Sequence, residues 1–442
     1  MNDIAGIPYV VAPFEIDGRL LQAVDIPDGT TDVIVVSHGW NNNQADAEDL
    51  YNRMFTSFSQ VGQPNDLDGR TIAIVGVIWP SKRFDEMVAS VSDQDATGSA
   101  SLNSPVNIES EKALQAKLDS MEQFMSTPNQ KATIADMRAL IPDLEDKATA
   151  RRAFVDKLRT LVDHKSADPE DASNLFFKQD GEDVMQALKI DPDDVDEELM
   201  NAGGSASLPL GVGGAKPTTT SNAEGAAAFG FLSGFKSAAM NALNFTTYYE
   251  MKSRAGTVGK SGVAPLLDVL SEKADRVHLI GHSFGGRVVA AAAANSTNDQ
   301  IRSLSLLQTA FSHNGFSKSE NGFFRSVVDT GRVKGPIIVT HTANDKAVGI
   351  AYPLASRLAH QTAAALGDAN DKYGGLGRNG AQKMEANEID KTHETMLTSD
   401  GSYRFAPSKF TNLEASQFVK GHSDIAGKEV ANAVRRAVST SK

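Results

Sequence analysis

The chain has 442 residues, 40% of them apolar, which is enough for one large domain with an insertion or for two ordinary domains. Its formal net charge of −13 argues against nucleic-acid binding and against electrostatic attachment to anionic membranes, because both need clustered lysine and arginine. There is no cysteine, so disulfides, thiolate nucleophiles and zinc–thiolate sites are excluded.

The beginning of the chain and its hydropathy bear on where the protein resides. The start, MNDIAGIPYVVAPF, lacks a basic segment followed by an apolar core, and no run of about 18 apolar residues occurs. We therefore expect a cytoplasmic protein without stable membrane insertion, with unconventional export left open.

Residues 1–84 alternate strand-like and turn-like sequence. The runs VIVVSHG from Val33 and TIAIVGVIWP from Thr71 are apolar at nearly every position, and YVVAPFEI from Tyr9 precedes them. Strands that are apolar on both faces are typical of a central parallel sheet covered by helices, and QADAEDLYNRMFTSF supplies an amphipathic connecting helix. The sequence predicts an α/β fold with a mostly parallel, doubly wound sheet.

The middle of the chain lacks this strand signal. Polar, helix-forming sequence such as EKALQAKLDSMEQFM replaces it, and a segment rich in Gly, Ser, Pro and Thr near residues 202–221 predicts a flexible tether. Sheet-forming sequence then resumes in RVHLI, SLSLLQ and GPIIVTHT, before a terminal helix. We therefore expect a sheet domain built from residues 1–84 and 245–442, interrupted by a mainly helical insertion at residues 85–244.

The stretch LIGHSFGGRVVAAAAAN places Ser283 between Gly281 and Gly285. A strand-like run precedes this G-x-S-x-G pattern and a helix-forming run follows it, so the chain must reverse sharply at the serine. Glycines relieve the crowding of such a turn, and the serine is then presented at the apex, beside the N–H groups of the first helical turn. The alternative interpretation is an ordinary glycine-rich turn.

A second glycine-containing stretch, RAGTVGKSG from Arg254 to Gly262, resembles a phosphate-binding loop but fails in two respects. The pattern needs a glycine where Arg254 is found, and it should follow a strand, whereas the preceding TTYYEMKSRA favours a helix. The sequence also lacks the H-E-x-x-H pair or spaced carboxylates that are typical of a catalytic metal site. We therefore expect no nucleotide, cofactor or metal ion.

The serine turn and the residues that follow it resemble the α/β-hydrolase family, in which the catalytic chain order is nucleophile, acid, histidine. The resemblance covers the sheet-forming parts of the chain and leaves the helical insertion unmatched. It implies Ser283 as the nucleophile, Asp345 in the loop after PIIVTHT as the acid, and His422 in the loop before the terminal helix as the base. The alternatives are Asp368 and Asp390 for the acid, and His360 and His393 for the base.

The same resemblance implies an oxyanion hole made of backbone N–H groups. One donor is Phe284, the residue after the nucleophile, and the other is Trp40, at the end of a predicted strand in the motif His38-Gly39-Trp40. His38 is expected to brace this loop. The residues expected to support the site around these donors are Gly39, Gly281, His282 and Gly285.

The family resemblance implies a serine esterase or lipase that cleaves carboxylic esters through an acyl-enzyme. The insertion suggests a cap, with residues 225–245 as packed core or as a mobile lid, over a pocket for a small-molecule or lipid-like ester. A thioesterase or acyltransferase would share the acyl-enzyme, and a catalytically silent binding protein would keep the fold, so both stay open. The oligomeric state is not determined by the sequence.

Overall fold

The protein, seen in a computed structural model, divides into two compact units. Unit 1 contains the described residues within Met1–Ser81, Met251–Tyr352 and Gly367–Lys442, and unit 2 contains those within Lys82–Glu250. The predicted tether near residues 202–221 lies outside the described part of the chain. The structure describes residues 2–40, 42–62, 66–81, 106–122, 127–162, 173–189, 234–345 and 372–441.

Unit 1 is built on an 8-stranded sheet. The strands are β1 (Asn2–Ile4), β2 (Ile7–Pro13), β3 (Asp32–Ser37), β4 (Ile72–Ile78), β5 (Arg276–His282), β6 (Ile301–Leu307), β7 (Ile337–His341) and β8 (Phe410–Glu414). Their order in the sheet is β1-β2-β4-β3-β5-β6-β7-β8, and β1 is antiparallel to β2 while the other neighbouring pairs are parallel. The predicted α/β class with a mostly parallel sheet is confirmed.

Helices of unit 1 cover both faces of this sheet. Numbered along the described chain of both units, the helices are α1 (Gln44–Gln60), α2 (Val106–Glu122), α3 (Pro128–Leu140), α4 (Ala148–Thr160), α5 (Ser173–Lys178), α6 (Gly181–Leu188), α7 (Gly234–Thr257), α8 (Ala264–Ser271), α9 (Phe284–Asn295), α10 (Arg325–Asp329), α11 (Leu376–Asn379) and α12 (Lys428–Ser439). Of these, α2 to α6 belong to unit 2. On one face, α1 and α12 pack over buried strand residues that include Ile34, Ile280 and Leu307. On the other face, α9 contacts β3, β5 and β6.

The stretch that resembles a phosphate-binding loop is helical. Arg254 lies in α7, which continues into a π-helical turn at Val258–Val263 and then into α8. The glycines here serve close packing, because a Cβ on Gly259 would clash with the backbone of Val288 in α9. This segment is therefore part of the helix packing of unit 1 and does not follow a strand.

The parallel strands place four chain segments at one edge of the sheet. The carboxyl ends of β3, β5, β7 and β8 lie at this edge, because these strands run in the same direction. The residues that follow them are 38–40, Ser283, 342–345 and 415–422. In open α/β sheets this is the edge at which ligands bind.

The described part of unit 2 is helical. Arg151 in α4 pairs with Glu182 in α6 through two hydrogen bonds of 2.7 and 2.8 Å. Glu145 accepts the backbone N–H groups of Phe235 and Lys236, each at 3.0 Å, at the beginning of α7, where the helix dipole favours a negative charge. Across the described residues of both units, no helix has the length and apolar character needed to cross a membrane.

Candidate active site

Ser283 lies at the turn between β5 and α9. Its φ of 56° and ψ of −125° are rarely adopted by residues other than glycine, and such a conformation costs on the order of 1–3 kcal/mol. The Ser283 N–H donates to Leu307 O at 3.1 Å, and its carbonyl accepts from the N–H groups of Gly286 at 3.0 Å and Ala310 at 3.1 Å. The turn is thus held in a strained conformation with the serine at its apex.

The glycines on either side of Ser283 are required by the available space. A Cβ on Gly281 would lie 2.5 Å from the carbonyl oxygen of Gly285. A Cβ on Gly285 would overlap the carbonyl oxygens of Ser37 and His38. The two glycines therefore allow the beginning of α9 to approach both β5 and the end of β3.

Asp345 and His422 meet at the same edge of the sheet. Asp345 follows β7 and is fully buried, and Nδ1 of His422 lies 2.9 Å from its Oδ2 and 3.0 Å from its Oδ1. A carboxylate only accepts hydrogen bonds, so the proton of the neutral ring is on Nδ1 and the lone pair is on Nε2. This is the tautomer in which an imidazole can take a proton from a serine hydroxyl.

Asn344 connects the loop of the acid with the loop of the histidine. Its Nδ2 donates to Ser416 O at 3.2 Å and to Val419 O at 2.9 Å. The hydroxyls of Thr342 and Ser416 are also hydrogen-bonded, at 2.9 Å. These bonds hold the two loops together, so the Asp345–His422 pair does not depend on a single contact.

His282 connects His422 with the serine turn. Its Nε2 lies 2.9 Å from the carbonyl oxygen of His422, and the two ring centroids are 4.9 Å apart. The next residue, Ser283, is 5% exposed, and among the described residues its hydroxyl has no hydrogen-bond partner. His282 therefore joins the loop of His422 to the residue that precedes Ser283.

His38 holds the loop after β3. Burial lowers the pKa of His38 to about 4, so its ring is neutral. Nδ1 donates to Gly39 O at 2.8 Å, Nε2 accepts the N–H of Trp79 at 3.3 Å, and the ring stacks on the indole. The backbone N–H of His38 donates to Tyr51 Oη at 2.8 Å. These buried contacts hold the His38 side chain and the backbone on either side of it.

Gly39 is where this loop comes close to the serine. A Cβ on Gly39 would lie 2.7 Å from Cβ and 3.2 Å from Oγ of Ser283. The Gly39 carbonyl accepts from His38 Nδ1 and, at 3.2 Å, from Asn42 Nδ2. Because the peptide is planar and trans, a fixed carbonyl also fixes the N–H of Trp40, which points the opposite way.

The residues of the two expected oxyanion donors, Phe284 and Trp40, contact each other through their side chains. Phe284 is the first residue of α9, so the N-terminus of this helix, where the dipole favours negative charge, is beside the serine. Trp40 follows Gly39, and its ring packs edge-on against the ring of Phe284 with centroids 6.2 Å apart. Negative charge that develops next to Ser283 would therefore meet a favourable electrostatic environment.

The alternative acid and base within the described residues are engaged elsewhere. Asp390 accepts the backbone N–H groups of Thr392 at 3.0 Å and Ala406 at 2.9 Å. His393 Nε2 accepts the N–H of Arg404 at 2.9 Å. Both side chains hold the segment that precedes β8. The other two alternatives, Asp368 and His360, lie outside the described residues.

A second hydrogen-bonded cluster of serine, histidine and aspartate lies toward the amino ends of the strands. Ser303 Oγ is 2.8 Å from His278 Nδ1, and His278 Nε2 is 3.0 Å from Asp32 Oδ1. All three side chains are buried, with exposures of 0 to 1%. Arg276 and Arg70 also bond Asp32, at 2.9 and 3.1 Å. This cluster cannot meet a substrate, and it connects β3, β5 and β6 inside the fold.

Several residues that shape the site belong to no recognisable motif in the sequence. Tyr51, Trp79 and Asn42 hold the His38 loop, and Asn344 connects the two loops of the acid–base pair. Trp79 Nε1, for example, donates to His38 O at 2.9 Å. The one available signal is position, because Trp79 directly follows the apolar strand β4, which is the neighbour of β3 in the sheet.

The side chains grouped at this site determine which chemistry it could support. Within the described residues, no three His, Asp or Glu side chains are grouped so that they could hold a metal ion. What is assembled is a serine at a strained turn, an imidazole whose proton is placed by a buried carboxylate, and a helix N-terminus next to the serine. No protein-family model, curated protein or solved structure matches this chain.

Proposed function

We propose that this protein is a serine hydrolase that cleaves carboxylic esters, an esterase or lipase with an α/β-hydrolase fold in unit 1. Ser283 is the nucleophile, His422 the general base and Asp345 the acid that orients it. The observation that carries the proposal is the 2.9 Å hydrogen bond between Asp345 and His422 at the edge of the sheet where Ser283 occupies the apex of a strained turn.

The placement of these groups along the sheet supports the proposal. The serine follows β5, the acid follows β7 and the histidine follows β8, so the chain order is nucleophile, acid, histidine. Parallel strands bring these three sequence-distant loops to one edge. The resemblance noted in the sequence implies the same relation, with the acid after the second strand beyond the serine turn.

The proposed reaction has two stages. The Ser283 Oγ attacks the ester carbonyl while His422 Nε2 takes the hydroxyl proton, and the resulting C–O bond makes a tetrahedral intermediate. His422 then donates this proton to the alkoxide as the bond to the alcohol breaks, which leaves an acyl-enzyme. In the second stage His422 takes a proton from water, the hydroxide attacks the acyl carbonyl, and the proton returns to Ser283 Oγ as the acid leaves.

The charge on the tetrahedral oxygen is stabilised by backbone donors. We assign this role to the N–H groups of Trp40 and Phe284, at the loop after β3 and at the first residue of α9. Asp345 stabilises the imidazolium that forms in each stage without taking its proton. Removing one such oxyanion donor from a serine hydrolase typically slows turnover by about 10²- to 10³-fold.

Unit 2 is assigned as the cap of this hydrolase. Its described residues are helical and form a compact unit of their own, and the sequence inserts them between β4 and β5 of the sheet. A cap excludes water and shapes the acyl pocket, which favours a lipid-like or other apolar acyl group over acetate. The ratio of hydrolysis rates on long-chain and short-chain esters measures this preference, and a strict preference for acetyl esters contradicts it.

The experiment that tests the proposal is intact-mass spectrometry after treatment with a fluorophosphonate, on the wild type and on Ser283→Ala. This reagent needs an activated serine but no knowledge of the substrate. A single adduct on the wild type that is absent from the variant supports the proposal, and a panel of esters and thioesters of graded chain length then distinguishes hydrolase classes. A folded wild-type protein that forms no adduct overturns it in favour of a binding protein.

A further inference from the structure

The residue immediately before Ser283 places a second imidazole in the site. His282 ends β5, is 6% exposed, and its Nε2 lies 2.9 Å from the carbonyl oxygen of His422. A carbonyl only accepts hydrogen bonds, so His282 Nε2 carries a proton. His282 Nδ1 is buried and has no hydrogen-bond partner among the described residues. The ring is therefore a neutral donor with its lone pair on Nδ1.

The surroundings of His282 keep it in this state. Burial lowers the pKa of His282 to about 3, and electrostatic repulsion from the His422 ring acts in the same direction, whereas the hydrogen bond to the His422 carbonyl raises the pKa without outweighing burial. Asp345, which bonds the His422 ring, acts in the opposite direction but does not outweigh burial. His282 thus cannot serve as an acid or base near neutral pH, and its contribution has to be the hydrogen bond that it donates.

The bond from His282 adds to the other hydrogen bonds of the histidine loop, in which the Asp424 N–H donates to Gly421 O at 3.2 Å and Asp424 Oδ2 accepts the N–H of Lys420 at 3.0 Å. Asn344 holds that loop at Ser416 and Val419, before the histidine, and Asp345 holds the ring. Gly421 lies between these supports, and a Cβ there would contact nothing within 4 Å. Among the described residues, His282 is the side chain that bonds the backbone of His422 itself.

We propose that His282 is a positioning residue, which places the general base over the nucleophile by holding the carbonyl of His422. This inference rests on the proposed function of Ser283 and His422. Because His282 is joined to Ser283 by one peptide, the same residue fixes the end of β5 and the loop of the base relative to each other. The hydrogen bond donated by His282 Nε2 positions His422, and His282 Nδ1 takes no part in it.

Two substitutions separate the two nitrogens. In His282→Gln the side-chain amide can place a donor near the former Nε2, whereas in His282→Asn the shorter amide can place polar atoms only near the former Nδ1. We expect His282→Asn to react with the fluorophosphonate slower by a factor on the order of 100, because an error of about 1 Å in placement has that effect. We expect His282→Gln to react close to the wild-type rate.

The measurement is the second-order rate constant of adduct formation at Ser283, with urea unfolding of each variant as the control for folding. Both variants lose the ring, so a purely structural role would lower the rate in both alike. An asparagine variant as fast as the wild type, or a glutamine variant as slow as the asparagine variant, overturns the proposal. Loss in the glutamine variant alone would assign the role to Nδ1 and overturn it as well.

A second readout does not depend on reaction at Ser283. The low-field NMR signal of the His422 Nδ1 proton reports its hydrogen bond to Asp345, and we expect it in the wild type and in His282→Gln but not in His282→Asn. If the wild type forms no adduct yet the signal follows this pattern, the proposed function fails and the positioning role stands. If the signal persists in all three proteins, the positioning role fails.

Discussion

His422 and Asp345 are joined by their side chains across 77 residues of sequence, with Nδ1 of the ring 2.9 Å from Oδ2 and 3.0 Å from Oδ1 of the carboxylate. Asp345 is fully buried, whereas the side chain of His422 is 16% exposed. The carboxylate thus fixes one ring nitrogen as a donor inside the protein and leaves the lone pair on the other nitrogen. The pair thus selects the tautomer of His422 that has its proton on Nδ1 and its lone pair on Nε2.

Replacing Asp345 by Asn tests this tautomer directly. An amide can donate to Nδ1, which moves the ring proton to Nε2 and removes the lone pair that would accept the serine proton. We expect fluorophosphonate labelling of Ser283 to slow by roughly 10³- to 10⁴-fold, because loss of the correct tautomer has an effect of about this size in serine proteases. The rate constant of labelling, read by intact mass at constant pH, is the measurement.

Asp390→Asn is the matched control for that substitution. Asp390 is the alternative acid from the sequence, and it accepts backbone N–H groups of Thr392 and Ala406 away from His422. Its replacement should leave the labelling rate unchanged. Equal losses in the two variants would show that neither carboxylate selects the tautomer, and a loss confined to Asp390→Asn would reassign the acid.

Gly39→Ala tests the close approach between the loop after β3 and Ser283, the proposed nucleophile. The added Cβ would lie 2.7 Å from Cβ of Ser283, so the loop or the serine must shift. We expect labelling to fall by a factor on the order of 100 because of this displacement. Gly421→Ala is the control, since a Cβ beside His422 at that position has open space. Wild-type labelling in Gly39→Ala would contradict the proposed geometry.

Tyr51→Phe tests the support beneath His38. Tyr51 Oη accepts the N–H of His38 at 2.8 Å and donates to Val77 O at 2.7 Å, and both bonds are buried. We expect the free energy of unfolding to fall by about 1–3 kcal/mol, because two buried polar groups lose their partner. Urea unfolding monitored by fluorescence measures the change.

Tyr9→Phe is the control for the loss of a tyrosine hydroxyl. Tyr9 is also buried, but its Oη has no hydrogen-bond partner among the described residues. Removing that hydroxyl should leave the free energy of unfolding unchanged or raise it, since an unpaired buried polar group is itself unfavourable. A larger loss in Tyr9→Phe than in Tyr51→Phe would contradict the hydrogen-bond assignment.

The parts of the site that the sequence predicts are those with a local signal. Ser283 is marked by two glycines and by the switch from strand to helix sequence, and the family resemblance points to Asp345 in the loop after PIIVTHT and to His422 in the loop before the terminal helix. Tyr51 and Trp79 have no such signal, because their role depends on which strands are neighbours. Trp79 reaches His38 since β4 lies beside β3, and that order is a property of the whole sheet.

No pattern in the sequence indicates the buried Ser303–His278–Asp32 cluster either. Its three members come from β6, β5 and β3, and each sits in an apolar run without any special flanking residue. The π-helical turn at Val258–Val263 is a similar case, because its glycine and lysine content mimics a phosphate-binding loop. Both features follow from side-chain packing between distant segments, which a local pattern does not encode.

Asp32→Asn should separate this buried cluster from the active site. Burial alone would raise the pKa of Asp32, but hydrogen bonds from His278, Arg276 and Thr31 hold it well below its usual range, so it is charged and paired. Removing one partner of a buried ion pair costs about 3–5 kcal/mol. We expect urea unfolding to show such a loss, while Ser283 in the remaining folded protein is labelled at the wild-type rate.

Asp25→Asn is the control for an ion pair in a different setting. Asp25 pairs with Lys273, but its side chain is 80% exposed. Exposed pairs contribute about 0–1 kcal/mol, so this variant should unfold close to the wild type. If Asp32→Asn abolished labelling of Ser283 without lowering the free energy of unfolding, the Ser303–His278–Asp32 cluster would be required for the reactivity of Ser283, contrary to this prediction.

The free energy of unfolding should depend on pH because His282 and His38 are buried in the folded protein. The pKa of His282 is lowered by burial to about 3 and that of His38 to about 4, against about 6.5 in an unfolded chain. As the pH falls below 6.5, the unfolded state therefore binds protons that the folded state does not, and the free energy of unfolding decreases. Each group contributes a slope of up to about 1.4 kcal/mol per pH unit.

His282→Gln removes one of these two groups, so it should reduce the slope of the free energy of unfolding against pH between pH 5 and 6. Above pH 7 the profiles of variant and wild type should run parallel, because histidine is neutral in both the folded and the unfolded state. Urea titrations at intervals across pH 5–8 measure both segments. Identical slopes below pH 6 would mean that His282 is protonated in the folded protein, which is incompatible with a neutral ring that donates through Nε2 alone. A steeper slope in the variant would mean that His282 takes up its proton more readily when folded than when unfolded, opposite to the effect of burial.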